Sequence, residues 1–273
     1  MQMIHILFYI ILTAYVITVI THFAGVGFKN DTIKKVAFIA FSVTTVAHLG
    51  YFIFRWWVKV DLLDIGVLNA LPVRGAFEYG MSFALLISIF CIVARSKMPW
   101  IVSAAIPASL ALMLFSATRN MDINEMIPAL RSPWLFVHAG TGVVAYAAFA
   151  IAAVAGIKYL INLKKGEPED NKTMIQIDKL AYRVIVFGML FFTVTIITGS
   201  MWAADAWSRF WFWDPKELWS LITWIFYAIY LHQRLRLNWR GKRCAILAIV
   251  GVGLVLFTWI GVNNLLAGLH SYA

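Results

Sequence analysis

Histidine is the side chain in this sequence best suited to chemistry, because its imidazole ring can ligate a metal ion or the iron of a haem group. The chain has six histidines and only two cysteines, Cys91 and Cys244. The cysteines form neither a Cys-x-x-Cys nor a Cys-x-x-Cys-His spacing, which argues against a thiol oxidoreductase and a c-type cytochrome. We therefore interpret both cysteines as structural and look to the histidines for the candidate chemistry.

A second concentration of unusual side chains lies between Gly199 and Ser220, where the sequence reads GSMWAADAWSRFWFWDPKELWS. The tryptophans within it are Trp202, Trp207, Trp211, Trp213 and Trp219. Tryptophan is also enriched at membrane–water interfaces, but such a belt accounts for only one or two residues at each helix end. So much aromatic surface in a short span favours an apolar platform on which a planar ligand can stack.

The last part of this stretch carries the signals of a helix start. Asp214 is a good N-cap, Pro215 suits the first helical position, and Glu217 completes a capping box. The sequence therefore predicts a helix beginning at Asp214, with a tryptophan-rich loop over residues 199–217. In this interpretation the main role of Asp214 is structural, because it fixes where the platform ends.

The elements that must position these residues are predicted to cross a membrane. The chain has 273 residues, of which 62% are hydrophobic and 13% charged, and its mean hydropathy is +0.80. We predict an all-α polytopic membrane protein, a single integral membrane domain over residues 1–273 with about eight transmembrane helices. The apolar runs cover residues 4–24, 34–57, 77–95, 99–117, 133–162, 178–201, 215–236 and 243–262.

The 23 basic residues decide the predicted orientation. Most of them follow the first, third, fifth and seventh runs, and the positive-inside rule places that face in the cytoplasm. Both termini and the tryptophan-rich loop are then predicted to be extracytoplasmic. The net charge of +10 does not predict nucleic-acid binding, because there is no basic soluble domain to carry it. The basic residues assigned to loops of the opposite face are Arg55, Lys59, Arg74, Arg119, Arg131, Arg209 and Lys216.

Depth in the predicted helices separates the histidines. His138 lies about one and a half turns into the fifth helix and His270 follows the last one, so both share the outer face with the platform. Their spacing fits a bis-histidine haem site and also fits two unrelated interfacial histidines. His232 lies about 25 Å along the seventh helix. At that depth it is a candidate functional residue, and the alternatives are a histidine hydrogen-bonded to a neighbouring helix or one that starts the basic loop. His22 and His48 are each a candidate second ligand but are interpreted as structural, and His5 is interpreted as interfacial.

The motif Trp207-Ser-Arg-Phe-Trp211-Phe-Trp213-Asp214-Pro-Lys-Glu217 resembles the signature of the WWD-domain haem-handling proteins. Within that group it most resembles the CcsA (ResC) branch of cytochrome c-type biogenesis proteins. The resemblance continues at Trp224, Tyr227, Tyr230-Leu-His232 and Gly268-Leu-His-Ser-Tyr272. Its specific motifs cover the chain from about Pro133 to the end, and the first half resembles the family mainly in helix pattern. At Ser208 the family commonly has glycine, a departure that bears on the geometry of the loop.

The resemblance implies haem delivery for cytochrome c maturation, with haem b as the cofactor. The family's histidines on either side of the loop match His138 and His270, as axial ligands of an outer haem. His232 matches the histidine of a second, buried haem site, whose opposing ligand is expected from a membrane partner of the CcsB (ResB) type. The expected cofactor-binding residues are His138, His270, His232, Trp202, Trp207, Trp211, Trp213 and Asp214.

The same resemblance implies an acceptor, an apocytochrome c with a Cys-x-x-Cys-His sequence. The chain would be the haem-delivery subunit of a cytochrome c synthetase (haem lyase) complex, in which ligation needs a partner protein. Membrane lipid is the other expected contact. The sequence leaves a bacterial plasma membrane and a thylakoid membrane open, and we take the first as the expectation.

Two other classes of function make different predictions. A b-type cytochrome subunit with permanent haem would have histidines paired on one helix and facing another such pair, and only the first helix has two, His5 and His22. A solute permease would have discontinuous helices or ionisable residues clustered at mid-membrane, and the sequence shows no such cluster. A spectrum of the purified protein distinguishes the three classes, as exchangeable haem, permanent haem or none.

Overall fold

The computed structural model describes residues 2–123, 132–266 and 268 of the chain. The regular secondary structure of these residues is helical. No β-strand occurs in those residues, so the all-α prediction is confirmed. A 3₁₀ turn, Pro99–Ile101, precedes α4, and a π turn, Phe257–Gly261, joins α8 to α9. The helices are α1 (Gln2–Gly27), α2 (Asp31–Leu63), α3 (Gly75–Ala94), α4 (Val102–Ala117), α5 (Pro133–Lys164), α6 (Lys172–Trp207), α7 (Pro215–Arg236), α8 (Lys242–Leu256) and α9 (Val262–Leu265).

Seven helical segments of the described residues are long and apolar enough to cross a membrane, by length and composition. They are α1 to α6, with the 3₁₀ turn counted in α4, and the continuous segment Lys242–Leu265. Helix α7 forms as predicted but is not among the seven, since Glu217 at its start and Arg234 and Arg236 at its end make it more polar. The polytopic membrane architecture is confirmed, and the orientation of the termini stays a prediction.

Side-chain caps set the starts of the helices that carry the site. The hydroxyl of Ser132 accepts a hydrogen bond from the backbone N–H of Trp134, and Pro133 occupies the first position of α5. Asn171 caps α6 by accepting from the N–H of Thr173, so α6 begins well before the apolar run predicted from residue 178. A polar cap therefore decides where this helix starts, not the onset of apolar residues.

The predicted loop over residues 199–217 is too long, because α6 continues as far as Trp207. The residues beyond the apolar run, Ala203-Ala-Asp-Ala206, include good helix formers and no breaker, so nothing ends the helix there. It ends at Ser208, which adopts a left-handed conformation with φ of 61°. At this position the resemblance leads us to expect glycine, which adopts such a conformation without steric cost. The segment between α6 and α7 is therefore Ser208–Asp214.

Contacts between the helices divide the chain into two compact units, residues 1–127 and 128–273. In the first unit, α1 packs along α2 and α3 along α4. In the second, α5 and α6 pack together along most of their length, and α8 lies against α5. The single domain over residues 1–273 stays a prediction.

A buried cluster of ionised side chains holds α2 and α3 together in the first unit. The Glu78 carboxylate accepts hydrogen bonds from Arg55 Nε at 3.0 Å and from Lys59 Nζ at 2.8 Å. All three side chains are at most 7% exposed. The assignment of Arg55 and Lys59 to a loop is wrong, because α2 continues to Leu63 and Glu78 offsets their charges.

The three histidines of the first unit each have a polar partner. For the buried His22 and His48 this agrees with their interpretation as structural residues, since a buried polar atom is stabilised by a hydrogen bond. The pairs are His48 Nδ1 with the Tyr15 hydroxyl at 3.1 Å, His22 Nε2 with the Ser103 hydroxyl at 3.0 Å, and His5 Nε2 with the Asp122 carboxylate at 3.2 Å.

The core of the second unit is closed by an aromatic stack and by close helix contacts. The rings of Phe149 and Tyr227 lie parallel, with centroids 3.8 Å apart and planes inclined by 9°. Gly156 lets α5 approach α8 so closely that a Cβ there would lie 2.7 Å from the carbonyl oxygen of Ala245. Cys244 is also buried in this core, in agreement with a structural role. These contacts hold α5, α7 and α8 in fixed positions around the site.

Candidate functional site

His138 lies on α5 and is hydrogen-bonded to the backbone of α6. Its Nδ1 atom is 2.8 Å from the carbonyl oxygen of Thr195. A carbonyl oxygen can only accept, so Nδ1 carries the proton and donates it. In the neutral ring the lone pair is then on Nε2, which is the form of histidine that ligates a metal.

A close approach of two helices makes this hydrogen bond possible. Gly199 is one turn beyond Thr195 on α6, and a Cβ built there would lie 2.6 Å from His138 Nδ1 and 2.9 Å from Cε1. Any larger residue would therefore occupy space that the imidazole ring fills. The hydroxyl of Thr195 also donates to that of Thr141 on α5, at 2.9 Å, which fixes the same crossing.

Aromatic rings extend from His138 towards the end of α6. The buried Trp202 ring is stacked beside the imidazole, with centroids 6.0 Å apart and planes inclined by 23°. Trp207 lies 4.9 Å from Trp202, centroid to centroid, and Phe212 packs edge-on against Trp207 at 6.2 Å. The structure thus brings the candidate histidine and two candidate tryptophans into one continuous group.

The remaining two candidate tryptophans lie in the Ser208–Asp214 segment. Trp211 and Trp213 are in edge-on contact, with centroids 5.8 Å apart. The Trp211 indole N–H is buried and has no hydrogen-bond acceptor within the described residues. Trp213 is 67% exposed and has φ of 59°, a conformation that costs a bulky residue about 1–3 kcal/mol. The Trp213 ring is therefore held exposed on this segment by a strained backbone.

Asp214 forms the predicted capping box with Glu217. Asp214 Oδ1 accepts from the N–H of Lys216 at 3.0 Å, and Glu217 Oε2 accepts from the N–H of Asp214 at 3.2 Å. The same Glu217 oxygen accepts from the N–H of Phe212 at 2.8 Å, so one carboxylate fixes the backbone on both sides of Trp213. The capping role of Asp214 is confirmed.

The C-terminal segment reaches the start of α7 at two points. Lys216 Nζ donates to the Asn263 side chain on α9 at 3.0 Å. Further along, Gly268 lies so close to Asp214 that a Cβ on it would overlap the Oδ2 atom. His270, the second predicted outer ligand, lies outside the described residues. Arg131, one of the basic residues assigned to the outer loops, also lies outside them.

His232 is far from this group, towards the other end of α7, with its side chain exposed. It follows two exposed apolar residues on the same helical stripe, Ile225 and Ile229. The structure therefore keeps His232 apart from His138 and the tryptophans. This separation is what the depth argument predicts. Within the second unit, His232 lies on an exposed face of α7.

A comparison with known protein families matches residues 76–270 to the model of the cytochrome c assembly protein family. The chain belongs to the cytochrome c assembly protein family. The matched residues include α4 to α9, nearly all of α3 and the whole Trp207–Glu217 motif, so the predicted resemblance is confirmed. The family assignment and the apolar helices together make it an integral membrane protein of cytochrome c biogenesis.

Individual relatives in this family are named cytochrome c biogenesis protein CcsA. The protein from Guillardia theta is 32% identical over 287 residues, which cover 94% of this chain and 92% of the relative. The protein from Synechococcus sp. (strain CC9902) is 30% identical over 279 residues, or 89% and 88% of the two chains. The Chlamydomonas reinhardtii protein is 42% identical over 166 residues, which cover 59% of this chain and 47% of the relative.

The residues around His138 were missed by reasoning from sequence. Thr195 acts through its backbone carbonyl, which no residue type reveals. Gly199 was recognised only as the start of the tryptophan-rich stretch, although a glycine one turn after a threonine in an apolar helix is a signal of close helix approach. Glu217 was expected to close one hydrogen bond of the capping box and closes two.

Proposed function

We propose that this chain holds haem b as cargo on the tryptophan platform and delivers it to an apocytochrome c. The observation that carries the proposal is the hydrogen bond from His138 to the Thr195 carbonyl. Histidines that ligate a metal commonly donate their other ring N–H to such an acceptor, which fixes the tautomer and the ring orientation. His138 has this arrangement in the structure, with Trp202 stacked beside it.

The residues present fit haem in three respects. The lone pair of His138 Nε2 is suited to an axial position on iron, and we assign the second axial position to His270. The rings of Trp207, Trp211 and Trp213 are at least partly exposed and offer apolar faces for the porphyrin, while the buried Trp202 supports the His138 ring. The Trp211 indole N–H, buried without an acceptor in the described residues, would gain a partner in a porphyrin carboxylate.

Haem supplies an iron that takes axial nitrogen ligands and vinyl groups that form thioethers with the Cys-x-x-Cys-His thiols of the acceptor. This chain binds and orients its cargo and excludes water from it, as proteins generally do for such groups. The covalent attachment is assigned to a complex with a membrane partner of the CcsB (ResB) type. Extracytoplasmic placement of the platform, in a bacterial plasma membrane, completes the proposal.

His232 is proposed as the ligand of a second haem in the cytoplasmic half. Its distance from the start of α7 corresponds to about 25 Å of helix, more than the width of a porphyrin, so one haem cannot reach both sites. An exposed histidine at the end of an apolar stripe is suited to a ligand pair completed by a partner helix. Haem would pass from this inner site to the outer one.

Single replacements of the axial ligands test the proposal. His138→Gly and His270→Gly should each lower the haem content of the purified complex and cytochrome c maturation, and added imidazole should restore both by filling the open position. His5→Gln, in the first unit, is the control and should retain the haem content. His232→Gly should deplete the outer haem as well as the inner one if transfer is serial. Unchanged haem content in both outer-site variants would refute the proposed site, and haem that does not exchange would favour the b-type cytochrome alternative.

A further inference from the structure

A buried ion pair fixes the end of α7 that lies away from the tryptophan platform. The guanidinium group of Arg234 donates to both carboxylate oxygens of Asp178 on α6, from Nη1 to Oδ1 at 2.7 Å and from Nη2 to Oδ2 at 2.6 Å. Both side chains are at most 10% exposed. Two parallel hydrogen bonds of this kind restrict the direction of a side chain as well as its distance from the partner. The last turn of α7 is therefore held in one rotational setting against α6.

Two further contacts support the same pair. The Arg234 Cζ atom lies over the ring of Tyr182, one turn after Asp178 on α6, at 5.0 Å from the ring centroid. Asp178 Oδ1 also accepts from the backbone N–H of Gly241, the residue just before α8, at 3.1 Å. One carboxylate on α6 thus contacts both the end of α7 and the start of α8.

His232 lies two residues before Arg234, on the other side of α7. Two residues of an α-helix correspond to about 200° of rotation, so a side chain held inward at residue 234 turns the one at residue 232 outward. The structure shows this arrangement, because Arg234 is buried while His232 is exposed on the stripe of Ile225 and Ile229. A rotation of the helix end that released Arg234 would turn the imidazole away from this stripe.

We propose that Arg234 and Asp178 are positioning residues for the inner haem ligand and set the direction in which α7 presents His232. The inference rests on the proposed function, in which His232 ligates the inner haem. Apolar residues of similar size commonly stabilise a protein as well as a buried ion pair does, so the property that they lack is direction. Since the opposing ligand is assigned to a partner, this direction decides whether both ligands reach one iron.

Haem retained at the inner site tests the proposal. It is measured in a His138→Gly complex with the membrane partner, where the haem that remains is the inner one. Asp178→Asn and Arg234→Lys should each lower it about tenfold, since both remove the paired hydrogen bonds and the second keeps the charge. Arg236→Lys, the same change at an exposed residue, is the matched control and should retain the haem. Unchanged inner haem in Asp178→Asn would contradict the proposal.

The double variant Asp178→Leu/Arg234→Met separates positioning from stability. It removes both charges together, so it should keep the melting temperature of the complex close to that of the control. An apolar pair has no directional hydrogen bonds, and inner haem should therefore stay about as low as in Asp178→Asn. Recovery of the haem together with the stability would overturn the positioning role, because folding alone would then depend on the pair.

A readout without haem separates this inference from the proposed function. A nitroxide label introduced through His232→Cys, with the two buried native cysteines removed by Cys91→Ala and Cys244→Ala, reports the setting of the helix end. Adding Asp178→Asn should give its spectrum a second, more mobile component. Identical spectra with and without Asp178→Asn would overturn the positioning role. Normal inner haem in a His138→Gly/His232→Gly complex would instead overturn the ligand assignment, whatever the label shows.

Discussion

Replacing Gly199 with alanine should disable the haem site without unfolding the protein. The added Cβ would lie 2.6 Å from His138 Nδ1, whereas ordinary contact begins at 3.4 Å, so the nitrogen must retreat by about 0.8 Å. The imidazole cannot simply rotate away, because Trp202 is stacked beside it and Thr195 holds its N–H. The ring has to give up one of these contacts.

The size of the effect follows from the hydrogen bond at risk. A retreat of about 0.8 Å from an acceptor now 2.8 Å away stretches the bond to about 3.6 Å, at which it no longer counts as one. Losing it costs about 1 kcal/mol of folding free energy. Alanine is favoured over glycine within a helix by a similar amount, so the two effects nearly offset each other in stability. The gain in helix preference does not compensate for the effect on haem affinity. This affinity should fall about 10–100-fold, because the hydrogen bond that fixes the tautomer of His138 is lost.

Haem content per purified protein and cytochrome c maturation in a strain lacking the native chain measure this effect. Gly140→Ala is the matched control, because Gly140 lies on the same helix as His138 and a Cβ there meets nothing within 4 Å. The control gains the same helix preference and should keep normal haem content. A Gly199→Ala protein that binds haem as tightly as the control would show that the Thr195 hydrogen bond does not prepare His138 for iron.

Two further predictions follow from burial. Trp213→Ala should reduce haem binding with little loss of thermal stability, because the ring is 67% exposed. Trp202→Ala should lower the free energy of unfolding by about 3–5 kcal/mol, because that ring is 3% exposed. Equal melting temperatures for the two variants would contradict this prediction. Glu78→Gln should destabilise the first unit by about 3–5 kcal/mol, since it leaves two buried cations without their carboxylate. Adding Lys59→Met should recover part of that loss, and no recovery in detergent unfolding assays would argue against the charge explanation.

The helices of the second unit could largely be predicted from sequence, because the signals that form them are local. The capping box at Asp214 and the start of α5 at Pro133 are both found where the sequence predicts them. The extension of α6 to Trp207 was missed, because the membrane-spanning run ends earlier and helix preference alone continues the helix. The left-handed conformation of Ser208 gives a physical reason for the glycine that the resemblance leads us to expect at that position.

The contacts that tune the site could not be predicted in the same way. The acceptor for His138 is a backbone carbonyl on another helix, and the ion partners of Glu78 include Lys59, which lies beyond the predicted end of its helix at residue 57. Both depend on which helix faces which, and periodicity does not determine that in membrane helices that are apolar on nearly every face. Only the small size of Gly199 hints at the first contact, and nothing in the local sequence hints at the second.

Glu217 Oε2, which accepts from the N–H groups of both Phe212 and Asp214, also limits how this segment can vary in length. Inserting one residue between Phe212 and Glu217 would turn α7 by about 100° relative to the segment and move the carboxylate away from the N–H of Phe212. Insertions and deletions are therefore expected only before this point, in Ser208–Trp211. If the platform is grafted onto another helical hairpin, residues 212–217 must therefore be transferred together. Residues 208–211, which precede them, are the part that can be redesigned.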